Sequence, residues 1–330
     1  MIREELAALR APDGSLPGGF HIPSIGSFHA GADYEAAAAH RNGGSCRVDA
    51  VQSSAENQVC RGRIAVVTGA AQGFGAEIAR GLAERGAFVF AADIDANGVQ
   101  AFADELNSSG FHGVSAIKVD VGDESSIRNM AEAIVTQTGG LDLVVSNAGI
   151  LKAGSVLEQN LADFDLVTRV NYTAFFLMTR YCATLMAWQR AGAPSWWTDI
   201  IQVNSKSGLE GSNKNAAYAG GKFGGIGLVQ SFALELVEYG IKVNAVCPGN
   251  FFDGPLWSNT ERGLFVQYLK AGKVSGAKTI ADVREFYESK IPMKRGCRGE
   301  DVLKAILYCV EQKYETGQAL PVTGGQVMLR

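Results

Sequence analysis

The sequence predicts an α/β fold: one doubly wound parallel sheet with helices on both faces, preceded by an irregular extension over residues 1–60. Three observations carry this expectation. From Arg63 onward, short β-branched apolar runs alternate with stretches of helical periodicity, the order that builds parallel strands joined by crossover helices. The first strand and helix are joined by a glycine-rich turn, Gly69-Ala-Ala-Gln72-Gly73-Phe74-Gly75. The first 60 residues instead scatter Gly14, Pro17, Gly18, Gly19, Pro23 and Gly26, with little periodicity outside Tyr34–His40. They are expected to drape over the domain, swap to a neighbouring subunit or lack fixed structure. The domain proper is residues 61–330.

The elements follow in order. Ile64–Thr68 is a continuous apolar run and reads as a buried strand. After the glycine turn, Ile78, Ala79 and Leu82 mark one face of a helix that starts by Ala76. A second strand, Phe88–Ala92, ends in Asp93. Helix Gly98–Ser108, strand Val114–Val119, helix Ser125–Thr138 and strand Leu141–Ser146 come next. One long helix is expected from about Leu161 to Arg190, with Asn171 among Val170, Phe175, Phe176 and Leu177. Gly192–Trp197 is a loop, and Asp199–Asn204 is a strand that delivers Ser205. Helix Asn215–Tyr239 carries Tyr218 and Lys222, and strand Lys242–Val246 leads to Pro248-Gly249. Residues 250–293 are the least regular part of the domain and hold Trp257, Phe265, Tyr268, Phe286 and Tyr287. Helix Glu300–Val310 and strand Ala319–Val322 complete the chain.

Two stretches carry chemistry. Strand, glycine turn and helix form the context of a dinucleotide site. Glycines let the backbone approach a pyrophosphate, and the helix N-terminus offers free N–H groups. Gly69, Gln72, Gly73, Phe74 and Gly75 are the candidate contacts. Asp93, at the end of the second strand, can accept hydrogen bonds from both hydroxyls of an adenosine ribose and would repel a 2′-phosphate. No basic residue sits beside it, so NAD is expected over NADP; a plain helix cap is its alternative role, one that Asp95 could fill. In the second stretch, Tyr218 and Lys222 share one helix face at i, i+4 spacing. A cation beside the phenol would lower its pKa toward neutrality, and the Ser205 hydroxyl could hold a substrate oxygen. Taken alone, the Tyr–Lys pair could equally be a solvated surface pair.

Together, Thr68-Gly69-x-x-x-Gly73-x-Gly75, Asn147-Ala148-Gly149, Asn171, Ser205, Tyr218-x-x-x-Lys222 and Pro248-Gly249 resemble the short-chain dehydrogenases/reductases over residues 61–330. The resemblance implies a Rossmann-like sheet and hydride transfer to or from a secondary alcohol carbon. It makes Tyr218 the acid/base, with Ser205, Lys222 and Asn171 as its catalytic partners. It assigns Asp120 and Val121 to the adenine, and Asn147, Ala148, Gly149, Tyr218, Lys222, Pro248 and Gly249 to the rest of the cofactor. Asn171 would hold a water that links the lysine to solvent; a helix-packing amide is the alternative. The irregular 250–293 segment would cover the substrate, and the glycine-rich face of the Tyr218 helix would approach the cofactor or another subunit in a homodimer or homotetramer.

Within the family, Val203-Asn-Ser-Lys-Ser-Gly208, Lys222-Phe-Gly-Gly225, Lys290–Cys297 and Val322–Met328 are similar to sorbitol-6-phosphate 2-dehydrogenases. That likeness implies a small polyol or sugar phosphate as substrate, oxidised from D-glucitol 6-phosphate to fructose 6-phosphate. A phosphate needs cations. Lys152 and Lys206 flank active-site turns and are the first candidates, with Asn250 beside them; Lys214, Lys294, Arg295 and Arg298 are further cations. A dehydrogenase of a free sugar, polyol or other alcohol is the alternative. A non-enzymatic NAD sensor on this fold is disfavoured because all four catalytic positions are kept.

Composition narrows the remaining classes. A hydrophobic content of 47% and charged content of 19% describe an ordinary globular protein. The formal charge of -4 gives no reason to expect nucleic acid or an anionic membrane as partner. No run approaches the roughly 18 apolar residues of a membrane span, and the acids in Met1–Arg10 do not suit a targeting peptide. A cytoplasmic protein is expected. The 6 cysteines lack CxxC spacing, and none of the 4 histidines lies near the catalytic motifs, so neither a disulfide framework nor a catalytic metal is expected.

Overall fold

A computed structural model describes residues 19–22, 26–29 and 59–328, apart from 112, 262, 271 and 273. Most of the predicted N-terminal extension lies outside these residues. Its described part is an antiparallel ribbon of β1 (Gly19–Ile22) and β2 (Gly26–His29), paired from Gly19↔His29 to Ile22↔Gly26. Runs of four residues are too short for a sequence period to reveal.

The main sheet is the predicted one. It contains β3 (Ile64–Thr68), β4 (Phe88–Asp93), β5 (Val114–Lys118), β6 (Leu143–Ser146), β7 (Thr198–Val203), β8 (Ile241–Pro248) and β9 (Ala319–Val322). All seven are parallel, in the order β5-β4-β3-β6-β7-β8-β9. The order reverses between β3 and β6, and a crevice opens there at the carboxyl edge.

Both faces are covered, so β3, β7 and β8 are buried at every position instead of alternating between core and solvent. Ala65 and Val67 of β3 point to one core, beneath α1 (Gly73–Ala83), α2 (Ala96–Ser108) and α10 (Gly299–Glu311). Ile64 and Val66 point to the other, beneath α3 (Glu124–Thr138), α5 (Ala174–Gly192) and α6 (Ala216–Leu236). Fully burying one such Val or Ile contributes about 1.5–3 kcal/mol.

The expected single helix from Leu161 to Arg190 is present as one uninterrupted helical run that reaches Gly192, with a π-helical turn inside it. α4 (Leu161–Thr168) and α5 flank that turn, Arg169–Thr173. Asn171 sits in this turn, where the extra residue re-aims its side chain. The turn carries no Gly or Pro and no side chain caps it, so the sequence does not reveal it.

Residues 250–293 are more regular than expected. They contain the short helices α7 (Pro255–Ser258), α8 (Leu264–Lys270) and α9 (Ile280–Ser289). These enclose a separate apolar cluster of Phe252, Trp257, Leu264, Phe265, Val274, Val283 and Ile291. Their brevity hides any period; aromatic packing of Trp257 on Phe252 (4.9 Å) and Phe265 (5.1 Å) holds them together.

At the opposite, amino edge of the sheet lies a buried polar group. Asp142 accepts from the Ile64 amide (2.8 Å), Gln189 (2.7 Å) and the Trp196 indole (2.8 Å). Lys242 Nζ lies 2.9 Å from Asp199 and also donates to the carbonyls of Cys309 and Gln312. Burial holds the Asp199 carboxyl up at about 6, although the Lys242 cation pulls the other way.

Candidate active site

The carboxyl ends of β3, β4, β6, β7 and β8 bring the predicted site residues to one edge of the sheet. Gly69 (φ 69°) and Gly73 (φ 63°) both take left-handed backbone conformations. A Cβ on Gly69 would lie 2.9 Å from Asn147 Nδ2, and one on Gly75 would collide with the Gly69 carbonyl. Helix α1 begins at Gly73, and no side chain caps it. Its first N–H groups therefore face the turn with the positive end of the helix dipole. This cradle, which any added Cβ would fill, fits a pyrophosphate.

Asp93 closes the other side of the cradle. Its carboxylate accepts from the backbone N–H of Ala71 in the turn (3.0 Å) and of Asp95 (3.0 Å). Asp95, not Asp93, caps α2, through Gly98 N (3.0 Å). The capping alternative for Asp93 is thus already filled by its neighbour, and the Asp93 carboxylate is held at the lip of the turn.

Asp120 lies just beyond β5 and turns back on itself, accepting from Gly122 N at 2.8 Å. The Val121 side chain belongs to the core, so only its backbone can reach a ligand.

Thr68 joins the two central strands. Its buried hydroxyl accepts from the amides of Asn147 (3.0 Å) and Ala148 (3.1 Å), while Asn147 Nδ2 donates to the Thr68 carbonyl (2.8 Å). The Asn147-Ala148-Gly149 turn is therefore pinned against the glycine turn. Asn171 then clamps the next peptide: Nδ2 donates to the Ile150 carbonyl (2.8 Å) and Oδ1 accepts from its amide (2.9 Å). A Cβ on Gly149 would meet Asn171 Oδ1 at 3.0 Å. The amide bonds of Asn171 fit the packing role; one N–H and one lone pair remain for any water.

Helix α6 is drawn close to the sheet by its glycines. A Cβ on Gly225 would lie 2.6 Å from Gln202, and one on Gly224 would lie 2.8 Å from the Tyr172 ring in the π turn. Gly220 and Gly227 face open space on the far side. Asn204 locks α6 to the end of β7, donating to the Lys222 carbonyl (2.9 Å) and accepting from Ser205 N (2.8 Å). Thr68 and Asn204 had no role assigned from sequence; a lone hydroxyl or amide at a strand end gives no periodic signal. Their only sequence cue is polarity at the end of an apolar run.

Ser205, Tyr218 and Lys222 converge at this lock. The Ser205 hydroxyl accepts from Ser207 N (3.1 Å) and is hydrogen-bonded to Tyr218. Burial pushes the Tyr218 phenol up, and the Ser205 hydrogen bond only partly offsets this. The direction is opposite to the one expected from a neighbouring cation. The reason is geometric: Lys222 Nζ lies over the ring, 5.7 Å from its centre, and donates to the Val203 carbonyl at 2.9 Å. Lys222, 5% exposed, is itself pushed down to about 8 by desolvation.

A half-buried phenol and hydroxyl with a buried amine beside a pyrophosphate cradle can bind a dinucleotide and move one proton at an alcohol oxygen. A family model described as short chain dehydrogenase matches residues 63–262. The chain belongs to the short-chain dehydrogenase family. It is 39% identical over 269 residues to sorbitol-6-phosphate 2-dehydrogenase of Escherichia coli, covering 81% of this chain and 99% of that protein. It is also 31% identical over 271 residues to the 3-oxoacyl-[acyl-carrier-protein] reductase FabG of the same organism, covering 81% and 98%. The crystal structure of sorbitol-6-phosphate 2-dehydrogenase SrlD from Erwinia amylovora superposes with a TM-score of 0.73 at 40% identity, covering 80% of this chain and all (100%) of that one. The short-chain dehydrogenase fold and oxidoreductase class follow from these matches.

The predicted substrate residues are less concentrated. Pro248 ends β8, and Gly249 packs against Thr323 and Gln326 of the C-terminal segment. The Asn250 carbonyl accepts from Cys297 N at 2.8 Å. Lys152 pairs with Asp163 (3.7 Å) and Lys206 with Glu210 (3.6 Å). Arg295 is held by Asp301 (2.6 Å), and Lys294 donates to the Ser289 carbonyl (2.6 Å). Among the described residues, no group of three or more His, Cys, Asp or Glu is placed to hold a metal ion, and no helix is long and apolar enough to cross a membrane.

Proposed function

We propose that this short-chain dehydrogenase is an NAD-linked oxidoreductase of a polyol or sugar phosphate, with D-glucitol 6-phosphate and fructose 6-phosphate as the substrate pair. The observation that carries the cofactor reading is the Asp93 carboxylate at the lip of the glycine turn, free of capping duty and bonded to Ala71 N. A 2′-phosphate there would meet a fixed negative charge. The polyol phosphate rests on the likeness to the sorbitol-6-phosphate enzymes.

Gly69, Gln72, Gly73, Phe74 and Gly75 would hold the pyrophosphate, Asp93 the adenosine ribose, and Asp120 with the Val121 backbone the adenine. Asn147, Ala148, Gly149, Pro248 and Gly249 would line the nicotinamide half. A bound nicotinamide supplies the hydride acceptor. Ser205 donates its hydroxyl hydrogen to the substrate oxygen and stabilises negative charge there. Tyr218, protonated at neutral pH because burial raises it, gives its proton to the carbonyl oxygen in reduction. In oxidation the phenolate takes that proton back from the alcohol. Lys222, whose amine lies over the Tyr218 ring and donates to the Val203 carbonyl, would give a remaining N–H to a ribose hydroxyl of the cofactor.

The test follows nicotinamide absorbance with NAD and NADP against a panel of phosphorylated and free polyols. Turnover of D-glucitol 6-phosphate with NAD, lost in Tyr218→Phe while dinucleotide binding persists, is the expected result. A fully active Phe variant would remove Tyr218 from the chemistry. Equal use of NADP would remove the Asp93 argument.

One observation favours a second reading, a dehydrogenase of a free sugar or alcohol. Lys152 and Lys206 are both engaged by carboxylates. Lys206→Ala separates the two: it raises KM for the phosphorylated polyol alone if Lys206 turns from Glu210 to the phosphate, and raises neither if it does not.

A further inference from the structure

The segment over the active site touches the pyrophosphate turn through one aromatic pair. Phe251, just beyond β8, stacks on Phe74 of the glycine turn with ring centres 4.3 Å apart and planes at 12°. Phe74 lies between Gly73 and Gly75, so its backbone is part of the pyrophosphate cradle. Pro255 stands beside the stack: a Cβ on Gly73, were there one, would lie 3.8 Å from Pro255 Cδ. The ring of Phe251 occupies the space that a side chain at residue 254 would need. A Cβ on Gly254 would lie 2.5 Å from Phe251 Cδ1. Glycine at 254 is thus what lets the ring lie flat on Phe74.

Behind the stack, the segment is tied down. Arg284 of α9 pairs with Asp253 at 2.6 Å, and its guanidinium lies 5.9 Å from the centre of the Phe265 ring. Phe265 packs on Trp257 and on Phe252, the residue next to Phe251. The stack is therefore joined through the backbone, from Phe251 to its neighbour Phe252, to the aromatic cluster that α7, α8 and α9 enclose.

We propose that the Phe74–Phe251 stack is a latch between the 250–293 segment and the pyrophosphate turn, and that it sets how fast a bound dinucleotide leaves. With the rings stacked, Phe251 and Pro255 stand over the outer side of the turn, across the path that a pyrophosphate takes from the α1 N-terminus to solvent. Unstacking lifts the segment and exposes the cradle. The inference rests on the dinucleotide reading above and adds to it a residue that touches neither the substrate nor the reacting atoms. Phe251 acts through Phe74, as a positioning residue.

The test uses the full chain and NADH, whose release is followed by stopped-flow fluorescence on displacement by excess NAD. Phe251→Ala and Phe74→Ala should each speed NADH release by about two- to tenfold, the range of one aromatic pair. The double variant should be no faster than the faster single variant, because the two rings form one contact. Phe251→Tyr, which can still stack, should restore slow release. A merely structural loss of the segment would not be rescued by a ring, nor would it show this non-additivity. Hydrogen exchange without nucleotide gives a second readout. Phe251→Ala should raise exchange in residues 251–258 and leave α6 unchanged. Wild-type release rates in Phe251→Ala, or single effects that multiply in the double variant, overturn the latch while leaving the dinucleotide reading intact. A wild-type protein that binds neither NADH nor NADPH overturns both.

Discussion

Lys222→Met isolates the energetic cost of placing an amine at the centre of the site. The amine is buried, and desolvation lowers it from 10.5 to about 8 in the folded chain. At about 1.4 kcal/mol per pKa unit, that difference corresponds to about 3 kcal/mol of destabilisation while the lysine is charged. The sign follows from proton counting. Below about pH 8 the amine is protonated in both states, and the full cost applies. Between about 8 and 10.5 the unfolded chain binds more protons than the folded one, so stability rises with pH. Above 10.5 the cost is gone. Methionine keeps the length of the stem but loses the bond to the Val203 carbonyl, which costs about 1–3 kcal/mol whatever the pH. At pH 7 the two effects nearly cancel, and the variant's stability should lie close to that of the parent. The decisive quantity is the difference in urea-unfolding free energy between parent and variant, taken from pH 7.5 to 10.5. Every other titrating group is common to both chains and drops out. That difference should move by about 3 kcal/mol in favour of the parent across the interval. A flat difference would refute the claim that Lys222 is charged at a desolvation cost. Turnover should fall in the variant at every pH.

Three further substitutions probe the frame around the site. Thr68→Val keeps the shape of β3 but leaves the amides of Asn147 and Ala148 without their acceptor; it should cost about 2–4 kcal/mol in chemical unfolding and weaken dinucleotide binding, whereas Thr68→Ser should retain both. Gly75→Ala drives a Cβ into the Gly69 carbonyl; isothermal titration should find dinucleotide affinity lost while circular dichroism shows the sheet intact. Lys242→Met removes the nearer cation from the buried Asp199 carboxylate at the far edge of the sheet and leaves it Arg63 at 3.8 Å; it should lower stability by about 1–3 kcal/mol without changing KM, since it lies away from the crevice.

Much of the architecture is visible in the chain itself. Ile64–Thr68 and Ile241–Pro248 are buried at every position because helices cover both sides of the sheet, and largely apolar runs survive in the sequence. Asp93 could be placed because a carboxylate at a strand end before a helix has few roles. The structure gives the cap to Asp95 and leaves the Asp93 carboxylate on the Ala71 amide. The π-helical turn at Arg169–Thr173 was not legible, because the chain stays helical on both sides of it and no Gly, Pro or cap marks it. Nor were the helices within 250–293 legible, since elements of 4 to 10 residues carry too few turns to show a period.

The sequence by itself determined the fold class and the succession of strands and helices, and it singled out Ser205, Tyr218 and Lys222 as candidates. These depend on local pattern and spacing, which the chain carries directly. Only the tertiary structure decided how those groups behave. The Tyr218 phenol is raised because surrounding atoms exclude water, and the Lys222 amine points to the Val203 carbonyl, not to the phenol oxygen. Asn171 binds the Ile150 peptide, and Phe251 lies on Phe74. Desolvation and contacts between residues remote in the chain are properties of the packed whole, and residue spacing does not encode them.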